Sequence, residues 1–341
     1  MKKIRRRGRK ILSILLSMTM AACMMLTGIT PGTNEVKAAS SLTSADFLKT
    51  NGTSIRKNHG NGEKVYLRGT NAGGWLVAAY EDNYWTTQDF DNCAAMGMSV
   101  IRLPFTYMNL CDDNGNLKSN AWRRLDWFVS NCSSRGMYVI LDMHGAFGSQ
   151  NGMDHSGEVN DGTQLYYNQG NKNKTLNLWA KIAEHFKGNP AVAAYDILNE
   201  PGIKAAATYS MQWDFYNEIY KTIRSKDSNH IIIMESCWDA DNLPRPSAYG
   251  WTNVAYEYHY YPWNYISNSS GQASYTAGKV RDIANHNYGV PTFVGEFTCF
   301  DQEDAWRNTM STYNQQGWHW TTWAYKVTGN SSWGIYNHSP Q

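Results

Sequence analysis

Along this chain, short runs of β-branched and aromatic residues give way repeatedly to polar loops and then to segments with apolar residues at helical spacing. The alternation runs from about residue 40 onward, with no tandem repeat and no low-complexity linker. Runs at 65–69, 99–103, 138–142, 192–198, 231–234, 254–259, 291–296 and 319–325 predict strands. Between them, helices are predicted at 86–96, 120–135, 173–186, 209–225, 274–287 and 301–316. In 120–135 Trp122, Leu125, Val129 and Cys132 share a face, with Asn120 as N-cap and Gly136 just past the end. In 173–186 the buried face is Trp179, Ile182, Ala183 and Phe186; in 209–225 it is Phe215, Ile219 and Ile223. The crossover 239–252 is rich in Pro, Asn and Gly and predicts no clear helix. Residues 54–67 predict a hairpin turning at His59-Gly60-Asn61-Gly62.

Strands that alternate with helical crossovers make a parallel sheet. An open doubly wound sheet normally carries a Gly-rich phosphate loop after its first strand. Here the first strand runs into Gly69-Thr70-Asn71-Ala72-Gly73-Gly74-Trp75, which lacks the G-x-G-x-x-G spacing. The expected fold is therefore α/β, a (β/α)8 TIM barrel with an N-terminal β-hairpin. The eighth strand lies so near residue 341 that the final helix is expected to be short or absent.

Composition adds a compartment. Lys2, Lys3, Arg5, Arg6, Arg7, Arg9 and Lys10 precede an apolar stretch from Ile11 to about Leu26, and Val36-Lys37-Ala38-Ala39 offers small residues for cleavage. Residues 1–39 thus predict a signal peptide and a secreted, extracellular protein, leaving 40–341 as one catalytic barrel domain. Of the 31 Lys+Arg and 29 Asp+Glu, eight and one lie in residues 1–38, so the remainder carries a net charge of −5. That balance gives no electrostatic case for nucleic acid. No membrane association is expected after signal removal, and a monomer is expected. Cys93, Cys111, Cys132, Cys237 and Cys299 form an odd, scattered set without a Cys-x-x-Cys pair, neither a disulfide framework nor a zinc motif. The 14 Trp exceed what a core needs and suggest surfaces that stack on flat ligands such as sugar rings.

In a barrel, active groups gather where strands end at their C-terminal edge. Those positions hold Arg102, His144, Asn199-Glu200, His259, Tyr261, Glu296 and Trp323. Glu200 and Glu296, after strands four and seven, would face each other across the barrel mouth. Glycosidic hydrolysis needs one carboxyl to protonate the leaving oxygen and a second to attack the anomeric carbon or activate water. Arg102 near one would hold it ionised, and burial beside that charge would raise the pKa of the other. Each residue also has a structural reading: Asn199-Glu200-Pro201 suits a helix entry, Glu296 a strand-end charge, His144 and His259 satisfied core histidines, Trp323 a core residue. A metal site from His144, His155 and Asp154 is conceivable, although no compact ligand motif appears.

Taken in order, Leu67-Arg68-Gly69-Thr70-Asn71, Ile101-Arg102-Leu103-Pro104, Leu141-Asp142-Met143-His144, Leu198-Asn199-Glu200-Pro201, His259-Tyr260-Tyr261, Val294-Gly295-Glu296-Phe297 and Trp323-Ala324-Tyr325-Lys326 resemble glycoside hydrolase family 5. The resemblance runs from about Leu67 to Trp333. It implies a retaining double displacement, with Glu200 matching the acid/base and Glu296 the nucleophile. It also matches Asn199 to the residue holding the sugar 2-hydroxyl, and Arg102 and Tyr261 to the groups that hydrogen-bond the nucleophile. His144 and His259 match histidines lining the site, and Trp323 the aromatic floor; no cofactor and no metal are implied. The stretch 141–157 and Gly73-Gly74-Trp75-Leu76 are similar to segments of exo-β-1,3-glucanases, while the rest looks like secreted endoglucanases. The expected activity is an endo-β-1,4-glucanase acting on β-glucan polysaccharide or oligosaccharide. A β-1,3-glucanase and a non-catalytic carbohydrate-binding barrel are the alternatives. Trp75, Tyr84, Trp85, Trp238, Trp263 and Trp333 are the candidate stacking residues, Trp238 and Trp263 foremost.

Overall fold

The computed structural model describes residues 41–73, 84–159, 164–202, 204, 207–329 and 331–338. The predicted signal peptide, 1–39, and the stacking candidate Trp75 lie outside the described residues. Eight parallel strands close on themselves: β4 (Arg68–Asn71), β5 (Val100–Thr106), β6 (Tyr138–Gly145), β7 (Val192–Asp196), β8 (Ile231–Glu235), β9 (Val254–Tyr260), β10 (Thr292–Phe297) and β11 (His319–Thr322), with β11 between β10 and β4. The expected (β/α)8 barrel is the observed fold. The predicted hairpin is there too, β2 (Ser54–Arg56) pairing with β3 (Lys64–Val65), but a third strand, β1 (Lys49–Asn51), adds to it. The first barrel strand starts later than expected, at Arg68, because Val65 belongs to the hairpin.

The strand sequences make two different layers. Outward positions such as Ile101, Leu103, Leu141, Tyr195, Ile232 and Tyr256 join the large core under the helices. The residues that alternate with them, Val100, Ile140, Ala194, Ile231, Ile233, Ala255 and Phe293, form a second, smaller cluster with Ile55 of the N-terminal sheet and Leu48 just before it. Along the same inward rows, two residues on, the apolar character ends in charge: Val100 is followed by Arg102, Ile140 by Asp142, Ala194 by Asp196, Ile233 by Glu235 and Ala255 by Glu257, all fully buried. The barrel interior is thus apolar at the end near the N-terminal sheet and ionic at the other.

Helices cover the outside. The helix Gln169–Phe186 buries Thr175, Leu178, Trp179, Ile182, Ala183 and Phe186, a stripe at i, i+3, i+4 and i+7. It begins four residues before the predicted 173 because Asn168 caps it, its side chain accepting from the Asn171 N–H. The helix Tyr209–Arg224 is capped in the same way by Thr208 and buries Phe215, Ile219 and Ile223 as expected. Between β8 and β9 only two short 3-10 turns occur, Ala240–Asn242 and Pro246–Ala248, in keeping with the composition of that crossover. After β11 the described residues form two short parallel strands, β12 (Lys326–Thr328) and β13 (Tyr336–His338), and no helix.

Tyr84 and Trp85, read as stacking candidates, are core residues with 4% and 1% exposure. Trp85 packs on Phe90, Phe128 and Tyr325 and donates its indole N–H to the Ala72 carbonyl, while the Tyr84 hydroxyl donates to the Lys326 carbonyl. An indole so enclosed has no face left for a ligand. All five described cysteines are buried and unpaired with one another.

Candidate active site

Every candidate at the strand ends is brought to one place. Arg102, on β5, is completely buried at the centre. Its guanidinium donates to Glu296 Oε1 at 3.0 Å, Asp196 Oδ2 at 2.8 Å, Asn199 Oδ1 at 2.9 Å and Asn71 Oδ1 at 3.0 Å. It also lies 3.0 Å from Asp142 Oδ2 and 3.2 Å from Glu257 Oε1. Burial disfavours its charge, but Asp142, Glu257, Asp196 and Glu296 outweigh that and hold the guanidinium fully protonated.

Glu296 is fixed at both oxygens. Arg102 holds Oε1, and the Tyr261 hydroxyl donates to Oε2 at 2.7 Å. The backbone here is bulged: the register between β9 and β10 shifts between Val294 and Glu296. Gly295 is required at the bulge, since a Cβ there would lie 1.5 Å from Glu257 Oε1. Its carbonyl accepts from Asn71 Nδ2 and from the Thr321 hydroxyl.

Glu200 follows β7 with a φ of +41°, the left-handed region, which costs roughly 1–3 kcal/mol for a non-glycine residue. Its N–H is clamped by Glu235 Oε2 at 2.6 Å and its carbonyl accepts from Asn151 Nδ2 at 3.0 Å. Its carboxyl lies between two imidazoles, His259 Nδ1 at 2.8 Å from Oε1 and His155 Nε2 at 3.1 Å from Oε2. The raised pKa expected of this carboxyl is not found. Burial pushes it up, but the hydrogen bonds and charges of His155 and His259 outweigh burial and hold it below the usual range. Both imidazoles are raised against their own burial, His155 chiefly by Glu200 and His259 by the charges of Glu235 and Glu296 and then by its hydrogen bond to Glu200.

Six carboxyl groups meet Arg102, His155 and His259 here, so acids outnumber bases. Burial raises Asp142 to about 7 and Glu257 to about 7, with Arg102 opposing it in both, and Asp196 to about 6; Glu235 rises further. Asp142 in turn holds His144 Nδ1 at 2.7 Å, and burial keeps the His144 imidazole neutral, down at about 3. The His144 ring lies flat against Trp323, centroids 5.5 Å apart at 11°. Asn199 is buried, and its amide Nδ2 has no acceptor among the described residues.

The metal reading of His144, His155 and Asp154 does not assemble, because His144 faces Asp142 and His155 faces Glu200. Ligand-type atoms do converge within 4.8 Å in two groups, Glu200–His259–Glu296 and Glu235–Glu257–His259. His259 faces a carboxylate at each ring nitrogen, Glu200 at 2.8 Å and Glu257 at 3.3 Å. A doubly donating imidazolium has no lone pair for a metal and itself supplies the positive charge.

Trp238 and Trp263 are 40% and 50% exposed, and both rings flank Tyr261, with centroids at 6.5 and 5.3 Å. Trp333 joins this aromatic wall, 5.6 Å from Tyr261 and 5.5 Å from Trp263. Trp333 also lines a cavity of about 500 Å³ beside Trp323, together with Phe300, Asp301 and Ser331.

Sequence reasoning missed Asp142, Asp196, Glu235, Glu257 and the contact of His155 with Glu200. The first four had a signal: an acid inside an otherwise apolar, period-2 strand run is a buried acid. His155 had none, because its loop position is set by Gln150, which donates to the carbonyls of His144 and Asn199.

A family model described as Cellulase (glycosyl hydrolase family 5) matches residues 59–329. A beta-xylosidase of Phanerodontia chrysosporium is 26% identical, covering 83% of this chain and 71% of that protein. A probable glucan 1,3-beta-glucosidase A of Aspergillus terreus is 31% identical over 61% of this chain, and the match spans less than half of that protein, 44%. The catalytic domain of Thermobifida fusca endoglucanase Cel5A superposes with a TM-score of 0.59 at 20% identity, covering 82% of this chain and 85% of that one. An endogalactoceramidase superposes with a TM-score of 0.69 at 23% identity, covering 82% and 74%. With the family's pattern matched over most of its length on a closed eight-stranded barrel, the chain belongs to glycoside hydrolase family 5.

Proposed function

We propose that the protein is a retaining β-glucan hydrolase in which Glu296 is the nucleophile and Glu200 the general acid/base. The observation that carries this is the pair itself: carboxylate oxygens of Glu200 and Glu296 lie within 4.8 Å of each other. Retaining enzymes hold the two groups about 5–5.5 Å apart, whereas inverting ones leave about 6.5–9.5 Å for a water. Glu296, oriented by Arg102 and Tyr261, attacks the anomeric carbon as Glu200 protonates the departing oxygen. Glu200 then takes a proton from the water that opens the glycosyl ester. Asn199 Nδ2, which has no acceptor among the described residues, holds a sugar hydroxyl in this reading, and Trp323, backed by His144, forms the floor. Proton NMR early in hydrolysis is expected to show the β-anomer of the product first; α-anomer first would overturn the double displacement.

Endo action on β-1,4-linked glucan is the favoured finer reading. Its support is the run of aromatic surface beside the catalytic pair, in which exposed Trp238 and Trp263 flank Tyr261 and Trp333 continues the wall to the cavity beside Trp323. β-1,3 specificity with exo action is the second reading, supported by the names of the glucan 1,3-beta-glucosidase relatives. The basic, apolar leader read in residues 1–39 supports export, which suits a polymeric substrate. Hydrolysis of a polysaccharide panel with chromatography of the products decides between them: oligomers from a soluble cellulose derivative mark the first reading, glucose alone from a β-1,3-glucan the second.

An uncharged glucan offers C–H faces, so exposed indoles supply contact area at low entropic cost. Replacing Trp238 or Trp263 by Ala is expected to raise KM several-fold for long oligosaccharides and less for aryl disaccharides, with Tm nearly unchanged. A loss of stability with an unaltered chain-length preference would make both residues structural.

A further inference from the structure

We propose that His155 is a positioning residue that shares the acid proton with Glu200 across one hydrogen bond and yields it when a glycosidic oxygen arrives. The proposal rests on Glu200 being the general acid. The two oxygens of Glu200 are not equivalent. Oε1 faces His259, which is wholly buried and tied on its far side to Glu257. Oε2 faces His155 Nε2 at 3.1 Å, and the His155 side chain is 20% exposed, at the mouth of the site. The transferable proton therefore belongs on Oε2.

Asn151 controls where that proton rests. Its Oδ1 accepts from the Met153 N–H at 2.9 Å and its Nδ2 donates to the Glu200 carbonyl, which fixes the amide's orientation. Nδ2 then also lies 2.8 Å from His155 Nε2. A donor pressed against Nε2 opposes a proton held there and pushes it toward the carboxyl. The negative charges around the ring pull the other way. Glu200 faces it from the end of β7, Asp154 of its own turn lies 3.9 Å from Nδ1, and Glu296 acts from β10. The neutral His144 ring of β6 is 6.2 Å away, and Lys204 reaches the same loop at Met153 Sδ. One proton balanced between Nε2 and Oε2 is the outcome. In the first step the Nε2–H bond breaks as the Oε2–H bond forms, and that hydrogen then passes to the leaving oxygen. The attacking water returns a proton to Oε2 in the second step, so the cycle needs no other acid.

The test compares wild type, His155→Asn and His155→Gln in kcat/KM against pH, on a β-gluco-oligosaccharide and on a dinitrophenyl β-glycoside whose leaving group needs no acid. With the shared proton lost, both variants should bring the alkaline limb on the oligosaccharide down by about one pH unit, an order of magnitude in rate on that limb. The dinitrophenyl reaction should keep its wild-type limb, which also shows that the variants fold. An unmoved limb in His155→Asn, or a wild-type limb restored by Gln, would reduce His155 to a hydrogen-bonding support and overturn the proposal, as would loss of both substrates in both variants. Failure of wild type on every glycoside would sink the enzyme assignment instead.

Discussion

Glu296→Gln is expected to lose turnover on all glycosides, on the order of 10⁴-fold or more, because no covalent intermediate can form. Glu200→Gln is expected to separate substrates. Oligosaccharides, whose leaving oxygen needs a proton, should slow by about 10²–10⁴-fold. A dinitrophenyl glycoside should still form its glycosyl-enzyme at near wild-type rate and then stall, giving a burst, because Glu200 no longer activates water. Gln is nearly isosteric in both places, so thermal melts should stay close to wild type. Near-normal oligosaccharide hydrolysis by either variant would remove the assignment.

The second large effect is on folding. Arg102→Met takes the guanidinium from the midst of Asp142, Asp196, Glu257 and Glu296. Breaking such a buried cluster costs about 3–5 kcal/mol, since the remaining charges lose their partner. The sign of the pH dependence follows from the acids. Asp142, Asp196 and Glu257 already titrate above their ordinary values, at about 7, 6 and 7, with burial as the first cause. A carboxyl raised on folding favours the native state at low pH and loses that contribution as pH rises through its folded pKa. Without Arg102 the three rise further, so the variant's deficit should be largest above pH 7 and shrink toward pH 5. Denaturant melts of both proteins at the two ends of that range measure it; a deficit independent of pH would mean that lost packing, not charge, dominates.

The barrel was legible because most strands lie in short β-branched or aromatic runs, as at Val100–Thr106 and Ile231–Glu235, and the helices between them carry a 3.6-period stripe. What moved were the ends. Val65 fits a strand in either place, and only pairing with Ile55 puts it in the hairpin. The site was legible where a strand run ends in a chemically capable residue, as at Arg102, Asn199-Glu200 and Glu296. Aromatic residues in loops were not: Trp85 and Trp263 look alike in sequence, and only the packing of Tyr325 and Phe128 on the first distinguishes them. The low pKa of Glu200 was also hidden, because it depends on His155, brought in by a loop whose path the local sequence does not dictate.

The closure of the sheet rests on β11, four residues that pair with β10 on one side and β4 on the other, with the Leu67 N–H donating to His319 Nδ1 across 252 positions. While β11 is in place the barrel presents no raw edge. Without it, β4 and β10 would each expose a row of unpaired N–H and C=O groups, the template on which chains add to one another. A protein clipped ahead of His319 would retain both glutamates, yet its fate would be self-association rather than weakened catalysis. Loss of a few residues remote from the chemistry would thus show first as turbidity.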